Sequence, residues 1–233
     1  SIIVDAYNTV YDSRNNCNAI IETATNTLIS GCSNTVIPST VTAIGDYAFY
    51  DCEKLSSVTL PNGLKSIGYG AFEYCAFISI NLPSSLESID DYAFYGCNEL
   101  ASIIIPDKVT SIGDCTFSYC ENLVSVTLPN GLESIGDYAF YYCAFTSINL
   151  PSSLESIGKD AFEYCSNLES INIPSSVTEI GEYAFYYCEK LSSVTVKWTE
   201  AEKIPDINDY VFSDVDLSNV TLYVPGNTTA LYQ

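Results

Sequence analysis

Phenylalanine recurs along this chain with a fixed beat. Phe49, Phe72, Phe94, Phe117, Phe140, Phe162 and Phe185 stand 22 or 23 residues apart, with Phe212 in an irregular last copy. Pro38, Pro61, Pro83, Pro106, Pro129, Pro151 and Pro174 keep the same interval. One unit reads Pro-x-x-Leu/Val-x-x-Ile-Gly-x-x-Ala-Phe-x-x-Cys-x-x-Leu-x-x-Val-x-Leu. A longer repeat overlies it. "VTLPNGL" begins at 58 and again at 126, and "SINLPSSLESI" at 79 and 147, so three units are duplicated together. A unit this short has no second layer on which to bury its apolar side chains. Neighbouring units must therefore stack into one continuous core, which makes the chain a solenoid.

The unit itself reads in physical terms. In "SVTL" (57–60), Val58 and Leu60 alternate with Ser57 and Thr59, the period of a half-buried strand. Pro61 has no N–H to donate, so the strand ends there. Leu64 and Ile67 return apolar groups to the core, and Gly68 permits a tight turn. "AFEYC" places Ala71, Phe72 and Cys75 at helical spacing, which predicts one helical or 3₁₀ turn.

With the Ile-Gly-x-x-Ala-Phe-x-x-Cys pattern in hand, the units resemble the BspA-like class of leucine-rich repeats, over roughly residues 36 to 225. That class is common in surface proteins of gut and oral bacteria and of some mucosal parasites. The resemblance implies a mainly β, right-handed leucine-rich-repeat solenoid of 22–23-residue coils with an N-terminal hairpin cap. One feature departs from ordinary leucine-rich repeats. Their asparagine ladder after the strand is missing, and Gly63, Ser85, Lys108, Gly131, Ser153 and Ser176 stand there instead. That loop must satisfy its backbone in some other way.

The ends differ from the middle. "CNAIIETATNTLISGC" (17–32) reads as a hairpin centred on Ala24-Thr25, covering the open end of the solenoid. The expected organisation is a cap over 1–35, seven regular repeats over 36–196, and an irregular last repeat with a truncated cap over 197–233. The chain has no methionine, so Ser1 is not expected to be a natural start, and the sequence reads as a processed or truncated piece.

Composition removes several functions. There are 29 acidic and 8 basic residues, a net charge of −21, and a field of that sign repels nucleic acid and anionic membrane surfaces. Of the 233 residues 47% are hydrophobic, yet no apolar run approaches the length of a membrane span. No signal peptide and no direct membrane insertion are read from the sequence. Histidine is absent, which takes away the commonest general base and most zinc sites. There is no phosphate-cradling glycine loop, no Gly-x-Ser-x-Gly and no metal-binding pair. No enzyme, catalytic residue, metal site or cofactor is therefore expected.

Seven of the ten cysteines form a ladder: Cys52, Cys75, Cys97, Cys120, Cys143, Cys165 and Cys188. Stacked equivalents point the same way, which suits neither a tetrahedral metal nor a set of bridges. They read as small buried residues closing the Ala-Phe turn. Cys115 replaces a tyrosine and is expected near the surface. Cys17 and Cys32 are equidistant from the proposed hairpin turn, which leaves two readings open, a disulfide or two free cap thiols.

Three surfaces are candidates for recognition. The concave strand face presents Ser79, Asn81, Ser102, Ile104, Ser125, Thr127, Ser147, Asn149, Ser170 and Asn172, an uncharged hydrogen-bonding strip continued by Ser57, Thr59, Ser193 and Thr195. The tyrosines beside the Ala-Phe turn could stack on a partner or simply cover the core. The acidic rim of Asp46, Asp90, Asp91, Asp114, Asp137, Asp160 and Glu182 is spread too thinly for calcium and reads as solubilising charge. What the resemblance implies is a non-enzymatic binding or adhesion module, extracellular or on a bacterial surface, recognising a host protein or glycan through its concave face. The alternative is a passive spacer that presents another domain.

Overall fold

We describe the fold from a computed structural model covering residues 1–200, 204, 205, 207, 210–226 and 228. The chain winds into about seven stacked coils of ~23 residues, with almost no helix. Among the described residues the only helical pieces are single 3₁₀ turns at Arg14–Asn16 and Leu217–Asn219.

Each coil is hydrogen-bonded to the next along three columns. The first is a ladder of two-residue strands: Ala43–Ile44, Ser66–Ile67, Ser88–Ile89, Ser111–Ile112, Ser134–Ile135, Ser156–Ile157 and Glu179–Ile180. They pair in parallel with isoleucine on isoleucine and, apart from Ala43 on Ser66 and Ser156 on Glu179, serine on serine, with one break between Ile89 and Ser111. The sequence read Ile67 as a core residue but not as part of a strand, because two residues are too few to alternate visibly. The second column is the expected strand face. Ser102–Ile104, Ser125–Thr127, Ser147–Asn149, Ser170–Ile173, Ser193–Val196 and Thr221–Tyr223 belong to it, and their pairs keep the sequence repeat in register. Residues 57–60 follow the same path without forming a strand, and the ladder first registers at the bridge Ser79–Ser102.

The third column corrects the expectation of a helical turn. The Ala-Phe segment is a run of tight turns, and the residues two before and two after each phenylalanine take a left-handed backbone with φ of 52° to 65°. Consecutive amides then alternate. Tyr47, Phe49 and Asp51 donate to Tyr69, Ala71 and Glu73 of the next coil, while Ala48, Tyr50 and Cys52 donate three residues back within their own. A helix would turn every N–H along its own axis. Alternation lets half of them join the stack.

Between these columns lies the core. The phenylalanines form one continuous stack from Phe49 to Phe212, with ring centroids 5.2 to 5.6 Å apart and nearly parallel planes. Their side chains are fully buried from Phe49 to Phe185. The 22-residue intervals have a local cause. After Cys75 and Cys143 one residue is missing, and Phe77 and Phe145 take the place of a leucine such as Leu100. Their larger rings reach in edge-on to Phe72 and Phe140 from the shorter loop.

The hairpin is present at the first coil. Ile20–Glu22 and Thr27–Ser30 pair antiparallel, and Tyr11–Asp12 adds a third strand. The arm Thr27–Ser30 then pairs in parallel with Ala43–Ile44, so the cap feeds the Ser-Ile ladder. At the other end Trp198 is fully buried and donates from Nε1 to the Val177 carbonyl at 2.9 Å. The expected irregular stretch 197–209 and the end of the chain lie partly outside the described residues.

Candidate functional site

The strand face carries its residues as the alternation requires. Val126, Ile148, Ile171 and Val194 turn inward, while Ser79, Asn81, Ser102, Ile104, Ser125, Thr127, Ser147, Asn149 and Asn172 are exposed and Ser170 is half-buried. From Ser57 to Thr195 no charged side chain stands on these strand positions, in a chain of net charge −21. The strip is not uniformly polar. Ile104 is 67% exposed, and Ile78 and Val124, at the leading edge of the coils before and after it, are 65% and 58% exposed. Ala101 links the two, donating to the Ile78 carbonyl and accepting from Val124. Sequence reading named Ile104 but missed Ile78 and Val124. The signal was the column just before the serines, which is apolar in three successive coils: Ile78, Ala101, Val124.

Four carboxylates of the acidic rim also bond one coil to the next. Asp46 Oδ1 accepts the Tyr69 N–H at 3.0 Å, and Asp91, Asp114 and Asp137 accept from Asp114, Asp137 and Lys159 at 2.7 to 2.8 Å. These carboxylates are rungs between coils. They also explain the glycine before them. A Cβ added at Gly68, Gly113, Gly136 or Gly158 would collide with the rung aspartate one coil back. Asp90 replaces that glycine in the coil that lies over Tyr69, whereas Gly181, which lies over Lys159, is kept by backbone alone, since its added Cβ would collide with Lys159 N. In two coils the place of the missing asparagine is taken over by the serine that stands there, Ser85 and Ser153, whose hydroxyls donate to the Leu64 and Leu132 carbonyls.

The cysteine ladder is buried from Cys75 to Cys188, with Cys52 at its first rung half-buried. It does more than fill space. Each thiol from Cys75 onward lies 3.1 to 3.3 Å from the phenylalanine carbonyl of the preceding coil and donates to it. Burial pushes these thiols well above the usual range, Cys188 to about 12. A protonated thiol held this way is a poor nucleophile and a poor ligand.

The structure holds Cys17 and Cys32 as free thiols. A bulge between Ile20 and Ile21 shifts the hairpin register by one residue, so the equidistance read from the sequence does not survive. Cys17 turns into the core with its thiol on the Ala19 carbonyl, whereas Cys32 is half-buried and takes the Asn18 amide at 2.9 Å. All ten thiols are free. Native alkylation is therefore expected to label only the half-buried Cys32, Cys52 and Cys115, with all ten labelled after unfolding without reductant. Intact mass counts the adducts, and eight in the unfolded, unreduced sample would mean that the bridge exists.

The tyrosines line the turn face. Nine of them occupy the left-handed positions, a conformation that costs a bulky residue about 1 kcal/mol or more. They recover part of it in ring contacts along the stack, as between Tyr142 and Tyr164, whose centroids are 4.6 Å apart.

Comparison with known proteins places this geometry. The profile of the BspA type leucine rich repeat region matches in six copies over residues 26–143 and 110–232. No curated protein matches significantly. A solved leucine-rich repeat protein from Bacteroides ovatus is 28% identical, with a TM-score of 0.58 over 82% of this chain, which spans only 54% of that protein's length. A leucine rich cell surface protein from Faecalibacterium prausnitzii is 22% identical, with a TM-score of 0.54 over 88% of this chain and 81% of its own. The pneumococcal vaccine antigen PcpA shares the fold at 18% identity and a TM-score of 0.52, over 83% of this chain and 62% of its own. With its repeat profile matched almost from end to end, the chain belongs to the BspA-type leucine-rich repeat family.

Proposed function

We propose that this chain is a non-enzymatic binding module, displayed outside the cell or on its surface, that recognises a protein or glycan through its strand face. The observation that carries the proposal is the exposed uncharged strip with Ile78, Ile104 and Val124 at its centre. Protein interfaces are depleted in charge at their centre, and apolar anchors ringed by hydrogen-bonding groups supply affinity and register. The family and the surface protein among the similar structures support the location. No helix among the described residues is long and apolar enough to cross a membrane.

The test is binding at physiological salt to a panel of matrix proteins, mucins and glycans. The comparison is Ser125→Arg combined with Thr127→Arg, which charges the strip without touching the core. Saturable binding by the native protein, lost at least tenfold in a variant of unchanged melting temperature, is the expected result. Equal behaviour of the two proteins across the whole panel would favour the passive spacer.

A further inference from the structure

The tyrosine face is interrupted once by a carboxylate pair. Two interrupted columns of rings run along it, Tyr47, Tyr92, Tyr138 and Tyr183 two residues before a phenylalanine and Tyr50, Tyr95, Tyr141 and Tyr186 just after one. Both are skipped together in three coils, by Gly70 with Glu73, by Cys115 with Ser118, and in the coil of Phe162 by a carboxylate pair: Asp160 stands where its neighbours carry Tyr138 and Tyr183, and Glu163 where they carry Tyr141 and Tyr186. The missing rings leave a cleft of about 530 Å³, within the size range of small-ligand sites. Its walls are Tyr138, Tyr183, Tyr186 and Tyr210, and its acidic lining is Asp160, Glu163 and Asp214. Asp160 is only 3% exposed, within hydrogen-bonding reach of both Glu163 and the Tyr138 hydroxyl.

We propose that this cleft binds an organic cation, the ammonium or guanidinium end of a lysine or arginine side chain from a basic partner. The tyrosine rings flank the alkyl stem, and Asp160 with Glu163 receives the charge. This site lies on the turn face and is independent of the strand-face reading.

Charge decides the ligand class. The lining has three carboxylates against one cation, Lys159, whose Nζ is 3.8 Å from Asp160 Oδ2 and whose side chain is half in solvent. Among the described residues no three acidic or cysteine groups converge as a metal site would require, so a compact metal ion is not the fit. A neutral sugar could stack on the rings but would leave two adjacent carboxylates repelling each other. The empty cleft already responds to that repulsion. Burial and the neighbouring Asp160 raise Glu163 to about 7, so near neutrality about half of it is protonated. Lys159 offsets this weakly from its own coil, and the groups facing Glu163 from the coils before and after are tyrosine hydroxyls, those of Tyr138, Tyr141, Tyr142 and Tyr186. Asp214 adds further negative charge beside Tyr186. A bound cation takes the place of the Glu163 proton.

The experiment is calorimetric titration of the protein with Nα-acetyl-lysine amide and Nα-acetyl-arginine amide. Nα-acetyl-norleucine amide and a panel of monosaccharides serve as neutral controls. Asp160→Tyr with Glu163→Tyr restores the rings of the neighbouring coils and fills the cleft, while Asp160→Asn with Glu163→Gln keeps its shape without its charge. The expected result is cation binding at pH 8, undetectable in either double variant, with no binding of the neutral probes. Affinity should fall about tenfold per pH unit below pH 7, as displacement of one proton requires. Glu163→Gln should bind more weakly and lose that dependence, and Lys159→Ala, which removes an internal competitor, should bind more tightly. Sugar binding without cation binding, cation binding that survives in the filled variant, or no binding of any probe would each overturn the proposal.

Discussion

Replacing Phe117 by alanine is expected to cost about 3–5 kcal/mol. Its ring lies 5.5 Å from both Phe94 and Phe140 and within 8° of parallel to each. The surroundings cannot collapse into the space left behind, because each neighbouring ring is tied to its own coil. Phe117 N also donates to the Ala139 carbonyl, and the Phe117 carbonyl receives the Cys143 thiol. The cavity therefore sits where three kinds of inter-coil contact meet. A repeat array transmits stability through nearest neighbours, so thermal unfolding should also become less cooperative. A drop of about 6–20 °C in melting temperature is expected, measured by calorimetry. A drop under 2 °C would mean that the stack does not hold the coils together.

The second prediction concerns a glycine. Gly158→Ala is expected to cost about 3 kcal/mol, at the upper end of what overpacking usually does. The added Cβ would lie 2.5 Å from the Gly136 carbonyl carbon and 2.6 Å from Asp137 N. Both are backbone atoms and neither can rotate away. The two coils would have to part, at the expense of the bonds from Gly158 to the Ile135 carbonyl and from Lys159 to Asp137 Oδ1. Gly63→Ala is the control, because nothing lies within 4 Å of its added Cβ, and its melting temperature should stay within about 1 °C of the native protein. Gly113→Ala offers a finer check. There the closest obstacle is the Asp91 carboxylate, so adding Asp91→Ala should recover part of the loss.

Much of this architecture was legible in the sequence, and the reason is redundancy. A core position written seven times at fixed spacing cannot be mistaken, which is why the phenylalanine column, the cysteine ladder and the strand face all stand where the repeat places them. The failures came where spacing alone is ambiguous. "AFEYC" has the three-residue interval of a 3₁₀ turn, and a run of tight turns has the same interval. The clue lay in what fills the left-handed positions: Asp51, Gly70, Gly96 and Asp160 alternate there with tyrosine, and glycine and aspartate share little besides tolerance of positive φ. The apparent symmetry of Cys17 and Cys32 failed because one bulged residue inverts every side chain beyond it. The rung aspartates were read as surface charge because a sequence gives no sign that a carboxylate and the next coil's amide meet.

The candidate site was legible only in part. The strip of serine, threonine and asparagine followed from alternation, and its apolar centre did not, since Ile78 and Val124 lie outside the alternating positions. Asp160 and Glu163 were visible as two departures from tyrosine, though the columns are also skipped at Gly70 with Glu73 and at Cys115 with Ser118. That the two departures share one cleft with Asp214, two coils away in the sequence, needed the stacked geometry.

The most direct test of recognition by the strand face is hydroxyl-radical footprinting of the protein alone and saturated with whichever panel member binds it. Ile78, Ile104 and Val124 are exposed, oxidisable reporters on that face, and Tyr47, Tyr50 and Tyr74 report on the turn face of the same molecule. The account predicts that the partner shields the three aliphatic residues and leaves the tyrosines as reactive as before. Shielding of the tyrosines with the aliphatic residues unchanged would contradict it.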